Sequence, residues 1–388
     1  MTQRAVPCLF MRGGTSRGPF FEAADLPDDL PTRDRVLLAV MGSPDRRQID
    51  GLGGAHPLTS KVGIVRRSER DEVDLEFLFA QLQPDQDTVD TTPNCGNMLA
   101  AVVPFALETG MLAAQGDTTT ARVLTLNTDM ECDITVLTPE QDGGRSVEYA
   151  GSASIDGVPG SAAPITIDFL DTAGSVCSSL LPTGQVRDSV TVSGVGTLDV
   201  TCIDNGMPLV IIRAEDLGRT AYEEVAELNA DTELKTKLEA LRLVCGELMG
   251  LGDVGPKNYP KMTLVAKPSH GGSIATRSFI PHVCHEAIGV LAAVTVATAC
   301  VLEGSVANEV ATVSDGEVKT ISVEHPTGEF SVELEVDPDN SQNVTRAALL
   351  RTARLIMRGE AMVPAGVWPA EPMITQEEAS SEKAQGPA

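Results

Sequence analysis

Two segments of the chain are apolar on every side and long enough to form helices, and they restrict the possible folds more than any other feature. They are residues 98–112 (MLAAVVPFALETGML) and residues 287–302 (AIGVLAAVTVATACVL). A helix without a polar face has to be surrounded by the rest of the protein. The second segment is shorter than the roughly 20 residues that a membrane helix needs, and it lacks basic flanks. Both segments are therefore predicted to be buried core helices.

Short strand-like segments surround these two helices along the sequence. They lie at residues 6–10, 60–65, 73–79, 121–126, 131–136, 189–192, 208–212, 262–267 and 274–280, and one amphipathic helical region covers residues 221–249. The strands do not alternate regularly with amphipathic helices, which argues against a doubly wound fold. The sequence therefore predicts an α/β (α+β) fold in which each half wraps a sheet around one buried helix.

The boundary between the halves is predicted from composition. Residues 140–188 are rich in Gly, Ser, Asp and Pro, and the Pro-Thr-Gly turn at residues 182–184 is a suitable boundary. This gives a first domain at residues 1–184 and a second domain at residues 185–370. The polar segment at residues 371–388 is expected to be a disordered tail.

Charge and cysteine usage restrict the partners and the compartment. The formal net charge of −26 argues against nucleic acid and anionic membrane surfaces as partners, although one basic cleft would suffice for a small anionic substrate. The same charge permits a homodimer. The eight cysteines are scattered without a CxxC pair, which favours reduced thiols in the cytoplasm over a disulfide framework.

The segment at residues 90–98 (DTTPNCGNM) places Cys95 just before the first apolar helix. Thr91, Thr92 or Asn94 is suited to cap that helix, with Cys95 in its first turn. Free backbone N–H groups and the helix dipole would stabilise a thiolate there, which gives an acid/base or nucleophilic group. The alternative is an inert cysteine buried at a helix start.

A glycine-rich loop at residues 11–18 (MRGGTSRG) offers backbone N–H groups, the hydroxyls of Thr15 and Ser16, and the guanidinium groups of Arg12 and Arg17. This combination suits a carboxylate or a phosphate. No GK[ST] sequence closes the loop, so it is not a Walker A motif. The alternative is an ordinary hairpin with solvated arginines.

A lysine follows the second glycine-rich loop of the chain. Lys61 comes after Thr59 and Ser60 and begins an apolar strand. Partial removal from water would lower the pKa of such a lysine and make it a usable base. The alternative is a surface lysine at a strand start.

The segment that leads into the second apolar helix contains Arg277, His282, Cys284 and His285. The last three suggest a zinc site. Their spacing is too tight for a standard structural site and no partner pair is evident, so no metal is expected. A cysteine hydrolase signature around Cys95 is missing as well.

Taken together, five segments resemble the PrpF-type isomerases of the diaminopimelate epimerase-like fold superfamily. They are residues 11–18, 50–62, 90–98, 204–208 and 277–290. They lie in both halves, so the resemblance extends over nearly the whole chain. The resemblance implies two pseudo-symmetric halves, each with a sheet around a central helix, and a substrate bound in the cleft between them. That architecture agrees with the two buried helices.

The resemblance also implies an activity and a set of site residues. It implies a cofactor-independent isomerase that moves a proton on a small polycarboxylate. The acid/base lysine of the family corresponds to Lys61 and its cysteine to Cys95, with either one able to act as the base. The candidate substrate contacts are Arg12, Thr15, Ser16, Arg17, Asn94, Gly96, Asn97, Arg277 and His282.

Two departures from the family pattern bear on the substrate. The first loop reads TSRG where TSKG is more frequent, so Arg17 replaces a lysine. The second helix begins with HEAIGV where the methylaconitate isomerases tend toward a TGA-type sequence. This difference favours the branch that acts on 4-oxalomesaconate in aromatic-acid degradation, through either keto–enol tautomerisation or a double-bond shift.

Three alternatives remain open at the level of sequence. The first is a 2-methylaconitate or aconitate isomerase with the same fold. The second is a non-catalytic protein that binds anionic metabolites. The third is an amino-acid racemase, which would need Cys284 or Cys300 to face Cys95.

Overall fold

The computed structural model describes residues 3–141, 143–170, 172–337 and 340–369. The tail predicted at residues 371–388 lies outside the described residues. None of the helices in the described part of the chain is long and apolar enough to cross a membrane.

Strands outnumber helices in the described chain. The helices are α1 (Leu30–Met41), α2 (Gly96–Leu99), α3 (Val102–Glu108), α4 (Val225–Ala230), α5 (Thr232–Leu248), α6 (Val290–Val301) and α7 (Val306–Val310). The strands up to the predicted boundary are β1 (Gln3–Gly13), β2 (Ser16–Glu22), β3 (Lys61–Arg67), β4 (Leu75–Leu82), β5 (Val89–Asp90), β6 (Thr118–Thr125), β7 (Met130–Leu137), β8 (Glu140–Gln141), β9 (Gly144–Arg145) and β10 (Ile165–Phe169). The later strands are β11 (Asp188–Val192), β12 (Gly196–Asp204), β13 (Pro208–Arg213), β14 (Lys261–Ala266), β15 (Ile274–Phe279), β16 (Val318–His325), β17 (Gly328–Asp337), β18 (Asn340–Arg351) and β19 (Ala353–Pro364).

The sheet of the first half closes on itself. Its strands follow the order β1, β2, β3, β4, β6, β7 and β10, with antiparallel, parallel, antiparallel, parallel, antiparallel and antiparallel pairing. β10 then pairs with the end of β18. The chain continues after one residue into β19, which pairs with β1. The result is a barrel that encloses α2 and α3.

The second half repeats this pattern. The order β12, β13, β14, β15, β16, β17 and β18 has the same succession of antiparallel and parallel pairings, and it surrounds α6. In both halves a helix lies between the second and third of these strands, and the central helix lies between the fourth and fifth. The predicted α/β fold of two pseudo-symmetric halves is therefore confirmed. The boundary at residues 182–184 stays a prediction.

The two central helices differ from the helices predicted. In place of one helix over residues 98–112, the first half has α2 and α3, which are separated by a turn and end at Glu108. Pro104 explains the break, because it has no N–H group and its ring excludes a regular helical turn against the carbonyl of Ala100. The second central helix begins at Val290, three residues later than predicted, and its interior is buried throughout.

The amphipathic region at residues 221–249 also differs from the prediction, because it contains two helices, α4 and α5. Asp231 ends α4 and caps α5, since its side chain accepts a hydrogen bond from the N–H group of Leu234 at 2.9 Å. α5 packs on the outer face of the sheet in the second half, and α1 packs on the outer face of the sheet in the first half.

Side chains alternate between the inner and outer faces of each sheet, and this alternation determines which residues reach the central helices. Along β3, Val62 and Ile64 belong to the outer cluster that packs on α1. Val65 belongs to the inner cluster, which surrounds α2, α3 and α6. A Cβ atom at Gly63 would lie 2.4 Å from the ring of Phe20, which is also in the inner cluster.

Candidate active site

The central helices of the two halves meet with their N-termini between the halves. A Cβ atom at Gly96, the first residue of α2, would lie 3.0 Å from Cγ2 of Val290, the first residue of α6. Cys95 is the N-cap residue of α2, and Gly289 is the N-cap residue of α6. Cys95 is half-buried and packs against the inner cluster. The junction therefore combines a thiol with the heads of two helices.

The capping predicted for the first helix is wrong in detail. Cys95 is the N-cap residue rather than a residue of the first turn, and it makes no side-chain cap. The side chain of Asn94 accepts the N–H group of Cys95 at 2.8 Å. Thr92 bonds to Asp90 through its N–H and hydroxyl groups. Because no side chain caps the helix, the first N–H groups of α2 remain next to the Cys95 thiol.

The glycine-rich turn between β1 and β2 packs directly on α2. A Cβ atom at Gly14, which has φ +52°, would lie 2.1 Å from Oδ1 of Asn97. The Asn97 side chain donates a hydrogen bond to the hydroxyl of Thr15 at 3.0 Å. Ser16 is buried, and its hydroxyl has no hydrogen-bond partner among the described residues. The turn thus brings Thr15, Ser16 and Asn97 together beside Cys95.

Lys61 lies on the inner face of the first barrel, at the same end as this turn. It is 7% exposed, which excludes the surface alternative. Its Nζ atom donates a hydrogen bond to Oε1 of Gln81 at 2.5 Å and lies 4.8 Å from the ring centroid of Phe79, a member of the inner cluster that Cys95 also contacts. Its carbonyl oxygen approaches β2 so closely that a Cβ atom at Gly18 would lie 1.8 Å from it. Lys61 and Cys95 therefore open into the same end of one barrel.

Arg12 and Arg17 lie opposite each other across the β1–β2 hairpin, on the face away from the inner residue Met11. Arg12 donates hydrogen bonds to the carbonyl of Gly14 at 2.8 Å and to the carbonyl and hydroxyl of Thr352 at 3.1 and 3.0 Å. Burial lowers the pKa of the Arg12 guanidinium. Arg17 is exposed. Both side chains are on the outer face, so Arg12 holds the turn from outside.

Arg277 and His282 lie on the outer side of the second half. Arg277 lies on the outer face of β15, where it donates hydrogen bonds to the carbonyls of Glu223 at 2.8 Å and Thr276 at 2.9 Å. His282 is 54% exposed, and its Nδ1 atom lies 3.7 Å from a carboxylate oxygen of Glu239 on α5. The sequence does not reveal which face of a strand becomes the inner one, so the outward position of Arg277 was not predictable, and substrate contact by either residue stays a prediction.

The remaining cysteines do not form a second thiol site at the junction. Cys284 is buried in a second outer cluster, which lies between the sheet of the second half and α5. Burial raises the pKa of its thiol to about 11. Cys300 is buried near the C-terminal end of α6. Because Gly289 occupies the position equivalent to Cys95, the two-cysteine arrangement of the racemase alternative is not present. Within the described residues, no group of three His, Cys, Asp or Glu side chains is arranged to hold a metal ion.

Sequence reasoning missed a buried arginine near Cys95. Arg351 lies on the inner face of β18, is 4% exposed and is close enough to Cys95 for their charges to interact. It donates a hydrogen bond to the carbonyl of Leu350 at 2.7 Å, lies 4.1 Å from the ring centroid of Phe330, and leaves its Nε atom without a partner among the described residues. Burial lowers its pKa to about 10. The available sequence signal was the two-residue spacing of Ala347, Leu349 and Arg351, which places the arginine on the same strand face as two apolar residues.

Comparison with known proteins identifies relatives along nearly the whole chain. The family model described as PrpF protein matches residues 3–364. The (4E)-oxalomesaconate Delta-isomerase of Novosphingobium sp. is 56% identical over 359 residues, which are 92% of this chain and 98% of that protein. The 4-oxalomesaconate tautomerase of Pseudomonas putida is 53% identical over 368 residues, which are 95% of this chain and 99% of that protein. A crystal structure of methylitaconate-delta-isomerase superposes with a TM-score of 0.80 at 33% identity and covers 97% of this chain and 99% of that one.

Proposed function

The chain belongs to the PrpF protein family, and from this premise we propose that it is an isomerase that acts on 4-oxalomesaconate by moving a proton, with no cofactor. Two relatives above 50% identity carry that substrate in their names. The observation that supports the proposal is that Cys95 lies where the heads of two helices meet, while Lys61 lies on the inner face of the same barrel, near the β1–β2 turn that packs on α2.

The chemistry requires two proton-transfer groups and a positive environment. The substrate is an oxo-tricarboxylate with an acidic C–H group between a carbonyl and an unsaturated system. Removal of that proton gives a dienolate. Backbone N–H groups at the helix heads and the buried guanidinium of Arg351 would stabilise its developing negative charge.

Lys61 and Cys95 are proposed as the proton-transfer pair. One removes the C–H proton, and the other returns a proton at a second carbon or at the carbonyl oxygen. Return at carbon shifts the double bond, whereas return at oxygen gives the enol. General acid–base catalysis of this kind contributes about 10²–10⁴-fold per group. Both outcomes begin with the same proton abstraction.

The turn between β1 and β2 is proposed to bind the substrate. Asn94 bonds to the N–H group of Cys95, Asn97 bonds to Thr15 of the turn, and the adjacent hydroxyl of Ser16 has no partner among the described residues. A buried hydroxyl without a partner is unfavourable unless a ligand completes its hydrogen bonds.

We assign the reaction to the cytoplasm, which agrees with eight cysteines that are all free.

A direct assay tests this function. The purified protein is mixed with 4-oxalomesaconate, 2-methylaconitate or aconitate in deuterated buffer, and the products are identified by NMR. We expect turnover and deuterium incorporation with 4-oxalomesaconate. Turnover of 2-methylaconitate or aconitate alone would favour the other isomerase activity. Thermal stabilisation by all three acids without turnover would indicate a binding protein.

A further inference from the structure

The second half contains a lysine at the position equivalent to Lys61. Lys261 is the first residue of β14, just as Lys61 is the first residue of β3, and both strands pair parallel with the preceding strand and antiparallel with the following one. Along β14, Met262 and Leu264 belong to the outer cluster, and Val265 belongs to the inner one. Alternation therefore directs Lys261 inward, toward α6.

Lys261 lies at the junction between the halves. Its Nζ atom is 3.6 Å from the position of a Cβ atom at Gly289, the N-cap residue of α6. The next residue, Val290, contacts Gly96, which follows Cys95. The ammonium group is thus separated from the Cys95 segment only by the first residues of the two central helices.

Lys261 has no partner in the described part of the chain, and this distinguishes it from Lys61. Lys61 is opposite Gln81, which accepts its hydrogen bond. In the second half, Met262 pairs with Phe279, so the residue opposite Lys261 is Ile280, whose side chain accepts no hydrogen bond. Lys261 is half-buried, and loss of solvent lowers its pKa. A charge withdrawn from water without a partner is unfavourable unless a ligand supplies the opposite charge.

We propose that Lys261 binds a carboxylate of the substrate from the second half, opposite Lys61 and Cys95. Arg351 is an independent sign of an anionic ligand at this junction, because it is 4% exposed on an inner face and its Nε atom has no partner within the described residues. Lys61, Lys261 and Arg351 give three inward cations, which match a tricarboxylate. The choice of a tricarboxylate rests on the proposed function, whereas the carboxylate site itself does not.

The test measures binding of tricarballylate (propane-1,2,3-tricarboxylate), a saturated tricarboxylate, by isothermal titration calorimetry. The variants are K261M, K261R and the control K267M, which removes an exposed lysine one residue beyond the other end of β14. We expect K261M to weaken binding about 10–100-fold, as for loss of a charged hydrogen bond. K261R should retain part of the affinity, and K267M should bind like the wild type.

Thermal unfolding and kinetics separate binding from a structural role. K261M should unfold at the same temperature as the wild type or higher, because it removes a half-buried charge that has no partner among the described residues. With 4-oxalomesaconate it should raise KM much more than it lowers kcat. If K261M does not fold, K261Q, which keeps a polar side chain of similar length, replaces it in the same comparison.

Each outcome bears on one proposal at a time. Unchanged tricarballylate binding by K261M, or no binding by the wild type, would overturn the role of Lys261 and leave the assay of 4-oxalomesaconate turnover unaffected. Lysine-dependent binding of tricarballylate by a protein that does not convert 4-oxalomesaconate would support the carboxylate site and overturn the proposed function.

Discussion

The two halves share one succession of strand pairings, yet the heads of their central helices differ. In the first half, the helix head is Cys95, the inward lysine is paired with Gln81, and Pro104 interrupts the helix. In the second half, the helix head is Gly289, the inward lysine has no partner among the described residues, and the helix is continuous. The comparison suggests that one half supplies the proton-transfer groups and the other supplies charge for binding.

The packing around the N-terminal ends of the two central helices also differs between the halves. The β1–β2 turn presses on α2 so closely that any side chain at Gly14 would overlap Asn97. At the head of α6, a Cβ atom at Gly289 would meet only the flexible end of Lys261, at an ordinary contact distance of 3.6 Å. The first half is thus tightly packed at the N-cap end of its central helix, whereas the second half leaves room for a small side chain at Gly289.

The largest expected difference between the halves is catalytic. We expect K61M to lower kcat for 4-oxalomesaconate about 10²–10⁴-fold, because it removes one of the two proton-transfer groups. Ultraviolet absorbance of the substrate measures the rate, with K267M as the control. A kcat for K61M within a few-fold of the wild-type value would remove Lys61 from the chemistry.

Thiol reactivity should separate Cys95 from the cysteines that pack between the sheet of the second half and α5. Burial raises the pKa of Cys284 to about 11, and burial beside Asp204 raises that of Cys177 to about 12. At pH 8 only about one Cys284 thiol in a thousand is ionised, so alkylation should be slow and should accelerate as pH rises toward 11. Mass spectrometry after iodoacetamide treatment should detect modification at half-buried Cys95 first. Equal labelling of Cys284 at pH 8, or unchanged labelling in C95S, would contradict this.

A matched pair of serine substitutions tests the difference in packing. G14S places a side chain at φ +52° against Asn97 and should lower the free energy of unfolding by about 1–3 kcal/mol. G289S, at φ −67°, adds a favourable N-cap residue at an ordinary contact distance from Lys261 and should change the free energy of unfolding by no more than about 0.5 kcal/mol. Urea denaturation measures both. Equal destabilisation would show that the two heads are packed alike.

The smallest expected effect is on the stability of the second half as a function of pH. Because the pKa of Lys261 is lowered in the folded state, the unfolded chain binds the proton more tightly, and the charged lysine destabilises the fold below its folded pKa. The penalty is relieved as pH rises through that pKa toward 10.5. K261M should therefore unfold a few degrees higher than the wild type at pH 7, with a difference that shrinks by pH 10. A constant difference across this range would exclude titration of Lys261 as its cause.

The sequence was sufficient for the fold, and it indicated candidate site residues whose roles stay predictions. The two apolar segments required enclosure by sheets, and Lys61 and Cys95 were recognised through motifs beside glycine-rich loops. The positions of Arg12, Arg17 and Arg277 were harder, because the face of a strand depends on what packs against it in three dimensions. Lys261 was overlooked because a single lysine before an apolar strand is typical of a surface residue, and only the pairing order of the sheet shows its equivalence to Lys61.

The central claim is that Lys61 and Cys95 act on one substrate from one end of the first barrel. Exchange of the methylene protons of 4-oxalomesaconate with deuterated solvent, followed by NMR for the wild type, K61M and C95S, tests it most directly. We predict rapid exchange in the wild type, and loss of exchange or of product formation in each variant. Wild-type exchange and product formation in both variants would contradict the account.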